Sequence, residues 1–266
     1  MSLDPTKFEA IRIERLGDVL RATIAHPGSP LNAVDGRLHE ELTRLFRELR
    51  RESEARVAIL TGSGRAFSAG GDFGWFPELR KPGRLEALRR DARQMIADLL
   101  DTEIPLIAAV NGPAIGLGAS LALLCDFIIA GEAATFADPH VRVGLVAGDG
   151  GAVIWPLLLG PARAKRYLLT GDALDAREAE RIGLVSFVVA DGELAARSLE
   201  LAQRLAAGAP LAIRYTKLAV NKLVKDALNT AFDTSTALEL LTFHSEDHRE
   251  ALDALRLKRR PRFTGR

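Results

Sequence analysis

Apolar positions follow two alternating patterns along the first two thirds of the chain. Short or near-continuous apolar runs predict five strands, at residues 8–14, 19–25, 57–61, 104–110 and 127–130. Apolar residues at helical spacing predict helices at residues 34–50 and 85–99, the second ending before Pro105. Strands and helices that alternate in this way indicate an α/β fold.

The pattern changes near Asp175. Asp175 and Glu178 resemble a capping box at the start of a short helix, and Gly183 suits its end. After a strand at 185–189, residues 192–258 are almost wholly of helical pattern, with one break near 208–210. We therefore predict two parts: a core over residues 1–190 and a C-terminal helical region over residues 191–266.

Composition restricts the function classes. A net charge of +1 gives no reason to expect nucleic acid or an anionic membrane as partner. The longest apolar stretch, 114–125, is too short to span a bilayer, and no signal-peptide pattern opens the chain. Cys125 is the single cysteine, so an internal disulfide is excluded, and no Cys/His spacing predicts a metal site. These features favour a cytoplasmic protein without a metal.

Two glycine-rich turns are the most informative local feature. One follows the predicted strand at 104–110 and contains Gly116 and Gly118, which allow close backbone approach before a small-residue helix. The start of that helix presents free N–H groups. The other turn, at 64–72, follows the strand at 57–61. Together they could supply two N–H donors to one oxyanion. The alternative is that both are ordinary tight turns of an α/β protein.

Three blocks around these turns carry a family resemblance. The segments 68–72, 111–118 and 137–144 resemble the signature blocks of the crotonase superfamily, the enoyl-CoA hydratase/isomerase family. The segments 162–172, 179–185 and 258–263 continue the likeness in order. The resemblance implies a crotonase-like spiral of ββα repeats. It also implies a C-terminal helical region for trimerisation, giving a homotrimer or a hexamer built as a dimer of trimers.

The resemblance also implies a set of site residues. The N–H groups of Gly71 and Leu117 would hold the enolate oxygen of an acyl-CoA thioester, so coenzyme A enters as part of the substrate and no other cofactor is implied. The expected substrate and CoA-binding residues are Leu31, Ala69, Phe73, Gly116, Ser120 and Lys258. Lys258 would reach the CoA phosphates from a basic tail. A solvated helix end is the alternative for that tail.

The chain departs from the hydratase pattern at two positions. Hydratases of this family carry glutamates where this sequence has Ser120 and His140. Adding water across a conjugated double bond needs one group to activate water and another to protonate the α-carbon. An unaided serine does neither. The resemblance thus supports the fold and the enolate site but not the hydratase reaction.

Asp149 and His140 are the candidate replacements. Asp149 lies in the loop 144–151, which relatives aim into the acyl pocket, and apolar neighbours there would raise its pKa. The alternative is that Asp149 caps the following helix. The ordinary pKa of His140, about 6.5, suits proton transfer. The alternative for it is a structural histidine bonded to a backbone carbonyl. The other histidines, His26, His39, His244 and His248, have no motif context and are expected at the surface or an interface.

The leading interpretation is an acyl-CoA enzyme that works through an enolate, as an isomerase or divergent hydratase using Asp149. A thioesterase or decarboxylase on the same fold, or a non-catalytic acyl-CoA-binding protein, remains as the alternative. Large side chains are expected to form the acyl pocket walls: Trp75, Phe76 and Trp155.

Overall fold

The computed structural model describes residues 2–266. The strands are β1 (Ile11–Leu16), β2 (Val19–Ile24), β3 (Val57–Gly62), β4 (Leu106–Val110), β5 (Ala114–Ile115), β6 (Phe127–Gly131), β7 (Thr135–Ala137), β8 (Leu174–Asp175) and β9 (Phe187–Val189). The helices are α1 (Gly36–Leu49), α2 (Phe76–Leu79), α3 (Arg84–Asp101), α4 (Leu117–Leu123), α5 (Gly151–Leu159), α6 (Pro161–Thr170), α7 (Ala176–Arg181), α8 (Leu194–Ala206), α9 (Pro210–Phe243) and α10 (Glu246–Arg256).

Two sheets organise the core. The larger has the order β1-β2-β3-β4-β6-β9, and every pair in it is parallel except β1 with β2. The smaller has the order β5-β7-β8. Its strands are only two or three residues long. The fold is therefore of the α/β class that the sequence pattern predicts.

The chain passes repeatedly from the large sheet to the small one and then into a helix. After β4 comes β5 and then α4. After β6 comes β7, and a short 3₁₀ helix (His140–Val143) then separates β7 from α5. Two earlier repeats make the same passage through single-residue bridges: Val34 with Gly71 before α1, and Ser68 with Ala114 after β3. This succession is the predicted spiral of ββα repeats, and it stacks the turns of consecutive repeats against one another.

Local side-chain caps fix the starts of α1 and α7. The Asp35 side chain accepts a hydrogen bond from the Leu38 N–H at the start of α1, and Asp175 does the same for Glu178 at the start of α7. The first strand begins at residue 11 rather than 8 because the N–H groups of Glu9 and Ala10 donate to the Glu41 carboxylate instead of to a neighbouring strand.

The C-terminal region forms three helices, so it has one break more than the sequence predicts. The additional break lies at Ser245, whose hydroxyl caps α10 by accepting from the His248 N–H. The region packs on the core: Ala202 of α8 lies against the large sheet, while Leu228 and Phe232 of α9 belong to the central cluster. The division at residue 190 stays a prediction.

In residues 2–266, none of the helices combines the length and the apolar character that crossing a membrane requires.

Candidate active site

The first glycine turn is held in place by Asn32. Its side-chain amide donates to the carbonyl oxygens of Ser63 and Ala66, at 3.1 and 3.0 Å. Asn32 itself has a positive φ of 53°, which asparagine tolerates better than most residues. Beyond this anchor, the Ser68 N–H donates to Pro113, and the Ile115 N–H donates to Ser68. The first turn is thus bonded directly to the segment that leads into the second.

Glycine is required where the two turns touch. A Cβ at Gly70 would lie 2.7 Å from the Ile115 carbonyl oxygen, and one at Gly118 would lie 2.7 Å from the Ser68 carbonyl oxygen. Gly70 and Gly116 also have positive φ angles, of 78° and 52°. The approach of the two backbones therefore depends on residues without side chains.

Two amide groups are left free by this arrangement. The bridge between Val34 and Gly71 uses the Gly70 carbonyl and the Asp72 N–H, and not the N–H of Gly71. Leu117 is the first residue of α4, where the N–H has no partner within the helix. In residues 2–266, neither N–H has a hydrogen-bond acceptor. Gly71 and Leu117 line the same cavity.

A cluster of acidic side chains surrounds His140 in that cavity. Asp138 contacts the ring nitrogen Nδ1, while Asp149 Oδ2 and Glu239 Oε1 lie 3.5 and 3.8 Å from Nε2. His140, Asp149 and Glu239 all line the cavity. Asp138 is fully buried behind the ring. A carboxylate on Nδ1 fixes the orientation of the imidazole and leaves Nε2 to face the cavity.

The structure thus brings the two sequence-predicted candidates together and adds two carboxylates that the sequence reasoning missed. Asp138 directly precedes Pro139 in the third signature block, two residues from His140, but nothing in the pattern reveals its contact with the ring. Glu239 lies 90 residues beyond Asp149. It shares the buried face of α9 with Phe232, Thr236 and Phe243. A glutamate on an otherwise buried face is the signal that could have identified it.

Helix α9 also holds the loop that carries Asp149. The Thr236 hydroxyl donates to the Gly148 carbonyl at 2.9 Å, and the Val146 N–H donates to Thr242. A Cβ at Gly148 would lie 2.3 Å from Glu239 Oε2, so only glycine lets the loop pack against Glu239. The C-terminal helical region therefore completes this site.

Burial dominates the ionisation of the two cavity carboxyls. Loss of solvation raises the pKa of Glu239 to about 8, and the nearby Asp149 and Asp138 act in the same direction against the attraction of His140. Burial also raises the pKa of Asp149, while His140 and the Ser120 hydroxyl oppose the rise. For His140, burial works against the charged form, but Asp138 and Asp149 raise its pKa well above the ordinary range. Glu239 is therefore largely protonated at neutral pH.

The raised pKa of Glu239 predicts a pH-dependent stability. A carboxyl whose pKa is higher in the folded than in the unfolded protein binds its proton better when folded, so its stabilising contribution is lost as pH rises through about 8. We expect Glu239→Gln, which keeps the shape without the charge, to lose less in melting temperature between pH 6 and pH 9 than the native protein. Some slope will remain because Asp149 and His140 are still present.

The exposed Glu103 provides the matched control. Glu103→Gln should show the native pH dependence of the melting temperature. If Glu239→Gln were to lose as much stability as the native protein over this range, Glu239 would not be the group that titrates.

Ser120 lies behind Asp149 rather than in the cavity wall. It is fully buried, and its hydroxyl donates to Asp149 Oδ1 at 3.0 Å. Asp149 precedes α5, whose N-terminal cap is Gly150 without a side-chain hydrogen bond. The hydrogen bond from the Gly151 N–H nevertheless lowers the pKa of Asp149. The Asp149 carboxyl therefore interacts with the start of α5 and also lines the cavity.

The acidic cluster also contains the residues that could ligate a metal ion. Asp138, His140 and Asp149 each offer a ligand atom, all within 4.8 Å of one another. Asp138 meets Nδ1 of the imidazole, whereas Asp149 faces Nε2. The two carboxyl groups lie at opposite ring nitrogens of His140. This arrangement suits the transfer of a proton at Nε2 while Asp138 holds Nδ1.

The cavity measures about 80 Å³ and has mainly apolar walls. Trp75 and Phe76 line it as predicted. Trp155 does not, because it is fully buried against Tyr167 at a ring distance of 5.9 Å. Additional lining residues come from α9, among them Leu240 and Phe243.

Two of the histidines expected at the surface or an interface are buried within the chain instead. His39 lines the cavity, where burial lowers its pKa to about 4. His248 is fully buried, and its ring bonds to the Val143 carbonyl.

A shallower groove joins the cavity from outside. Gly71, Phe76 and His140 line both, and the groove continues along Ala69, Phe73, Gly116, Pro139, Arg142 and Val143. It therefore contains three of the residues predicted to contact coenzyme A. Leu31 borders this region through the hydrogen bond from the Ala69 N–H to its carbonyl, and its side chain is exposed. Lys258 is exposed just beyond α10.

Comparison with known proteins agrees with this architecture. The sequence profile described as "Enoyl-CoA hydratase/isomerase" matches residues 15–266. The chain belongs to the enoyl-CoA hydratase/isomerase family. It is similar to a carnitinyl-CoA dehydratase from Citrobacter koseri, with 36% identity over 97% of this chain and 99% of the relative.

Two solved structures of the family show the same fold. An enoyl-CoA hydratase/isomerase from Mycobacterium paratuberculosis superimposes with a TM-score of 0.87 at 39% identity, covering 92% of this chain and 97% of the other. A β-diketone hydrolase from the cyanobacterium Anabaena sp. PCC 7120, bound to (S)-3-oxocyclohexyl acetic acid, gives a TM-score of 0.84 at 34% identity over 90% and 95% of the two chains. The enoyl-CoA hydratase/isomerase fold thus includes proteins named for different reactions.

Proposed function

We propose that this enoyl-CoA hydratase/isomerase family member converts an acyl-CoA through a thioester enolate, as a divergent hydratase or an isomerase. The N–H groups of Gly71 and Leu117 would stabilise the enolate oxygen, and Asp149 and His140 would move the protons. The observation that carries the proposal is the presence of two unpaired amides and the Asp149–His140 pair in one cavity. Preorganised donors of this kind stabilise charge that develops in the transition state.

The cluster favours water chemistry over a simple proton shift. An isomerase needs one group that removes a proton from one carbon and returns it to another. Here a second proton carrier faces the same space: His140 lies between Asp149 and Glu239, and Asp138 supports it from behind. One group can take a proton from water as its oxygen adds to the β-carbon, while another protonates the α-carbon.

Cleavage of a β-dicarbonyl compound by water is a second candidate. The observation that favours it is the imidazole backed by Asp138, which can activate water for attack on a carbonyl carbon. The carbon–carbon bond then breaks, its electron pair forms an enolate at the two amides, and a proton from the cluster completes the leaving ketone. The family member from Anabaena named as a β-diketone hydrolase has the same fold.

A substrate panel read by mass spectrometry tests these candidates. The protein is incubated with saturated, 2-enoyl, 3-enoyl, 3-hydroxyacyl and 2-carboxyacyl CoA esters and with a 1,3-diketone. A gain of one water on a 2-enoyl ester, or its loss from a 3-hydroxyacyl ester, supports the hydratase. An unchanged mass with altered absorbance indicates the isomerase. Water added to the diketone supports the second candidate, and free CoA or loss of carbon dioxide indicates a thioesterase or decarboxylase. Binding without turnover of any compound would contradict an enzymatic role.

We further propose that coenzyme A lies along the outer groove, with Lys258 near its phosphates, and that the protein assembles into trimers or hexamers. Large apolar side chains on the C-terminal helices support assembly because they face outward in the single chain: Leu223 is 71% exposed and Leu241 is 69% exposed.

The assembly proposal predicts that a charge on α9 will weaken association. Leu223→Glu should lower the mass measured by multi-angle light scattering from that of a trimer or hexamer toward that of the single chain. Lys222→Glu, at the neighbouring position of α9, is the control for adding negative charge. A monomeric native protein would contradict the proposal directly.

A further inference from the structure

One wall of the cavity carries polar groups that the proposed reaction does not use. This wall is formed by α1 and α3, which pack against each other, and it contributes His39 and Arg89 to the lining. The reacting groups come from other elements: the two glycine turns, the loop with Asp149, and α9. Leu88 and Ala92, which flank Arg89 along α3, are apolar. A cation and an imidazole therefore interrupt an otherwise apolar surface.

Arg89 is available to a ligand despite its contact with Glu86. The Arg89 Nε and Nη2 donate to the Glu86 carboxylate at 3.0 and 2.8 Å. Both residues lie on α3, three positions apart, and the Glu86 side chain is 58% exposed. Such solvated pairs contribute little free energy, so a competing carboxylate can replace or share this contact. Arginine has five N–H donors, of which Glu86 uses two.

His39 is electrically neutral in this wall. Its ring contacts Trp75 at a centroid distance of 5.7 Å, and burial lowers its pKa to about 4. His39 lines the cavity, and a neutral imidazole carries one hydrogen-bond donor and one acceptor.

We propose that the α1–α3 wall recognises a carboxylate at the end of the acyl group remote from the thioester. The substrate class is then an acyl-CoA derived from a dicarboxylic acid. The planar guanidinium of Arg89 matches the two oxygens of a carboxylate, and the neutral imidazole of His39 in the same wall would offer a further hydrogen bond. This inference rests on the proposed function, because it takes the acyl group of a CoA ester as the occupant of the cavity.

Calorimetric binding of matched ester pairs tests the inference. The pairs are hexanedioyl-CoA with hexanoyl-CoA and octanedioyl-CoA with octanoyl-CoA. Within a pair the CoA part is identical, so the ratio of dissociation constants reports the remote carboxylate alone. In at least one pair, the native protein should bind the dicarboxylic ester roughly tenfold more tightly, the usual scale for a hydrogen bond to a charged group. Arg89→Met should abolish the preference.

Arg90→Met is the matched control, because Arg90 is exposed on the same helix and does not line the cavity. It should retain the preference for the dicarboxylic ester. Equal or weaker binding of the dicarboxylic esters, or a preference that survives Arg89→Met, would overturn the inference and leave the proposed function intact. If none of the four esters binds, the proposed function fails and the inference fails with it.

Discussion

Replacing Asp149 by asparagine should lower turnover of the substrate found in the panel by at least about a hundredfold, the usual scale for a general acid–base group. Asparagine keeps the size of the side chain and can still accept the Ser120 hydroxyl, but it cannot take up or release a proton at the pH of catalysis. The variant should remain folded, because the change removes an ionisable group from a buried site. Its effect should therefore appear mainly in kcat.

Ser120→Ala separates positioning from proton transfer. It removes the hydrogen bond to Asp149 Oδ1 but leaves the carboxyl in place. Since the Ser120 hydroxyl lowers the pKa of Asp149, its loss should move the acidic limb of the pH–rate profile to higher pH. The loss of rate at the optimum should be smaller than that of Asp149→Asn.

Near-native turnover of Asp149→Asn would remove Asp149 from the mechanism.

Leu117→Pro should reduce kcat by roughly 10²- to 10³-fold, the cost of losing one oxyanion donor. Proline has no backbone N–H, and the substitution therefore deletes the proposed donor itself. Leu117 is the first residue of α4, a position at which proline fits the helix. Gly116 precedes it, and the absence of a Cβ there relieves part of the steric restriction that proline places on its neighbour.

Leu117→Ala is the control for the lost side chain, which packs against the core and lines the cavity. It keeps the N–H and should retain most of the kcat that the proline variant loses. Circular dichroism and melting temperature establish that both variants fold. If alanine and proline lowered kcat equally, the amide of Leu117 would have no part in catalysis.

Sequence patterns predicted the large elements well because their signals are local. The strands at β2, β3, β4 and β6 and the cap at Asp175 each depend on a few neighbouring residues. The small sheet was less accessible, because two of its rungs are single-residue bridges at Val34 and Ser68 with no periodicity to detect. The second strand of each ββα repeat was predicted only from the family resemblance.

The site shows the same division between local and distant information. The glycine turns and Asp149 lie in compact motifs and could be identified. Glu239 comes from a helix far along the chain, and its place depends on the packing of α9. Trp155 was wrongly assigned to the cavity wall because α5 is apolar on nearly all sides, so its sequence does not reveal which side faces the cavity.

A crystal structure with a ketone analogue of a saturated acyl-CoA, in which carbon replaces the thioester sulfur, would examine the two amides most directly. The analogue cannot be hydrolysed and keeps the carbonyl oxygen. We predict that this oxygen lies about 2.7–3.1 Å from the backbone nitrogens of both Gly71 and Leu117, beside Asp149 and His140. A carbonyl oxygen that contacts only one of the two nitrogens, or points away from both, would contradict the enolate site.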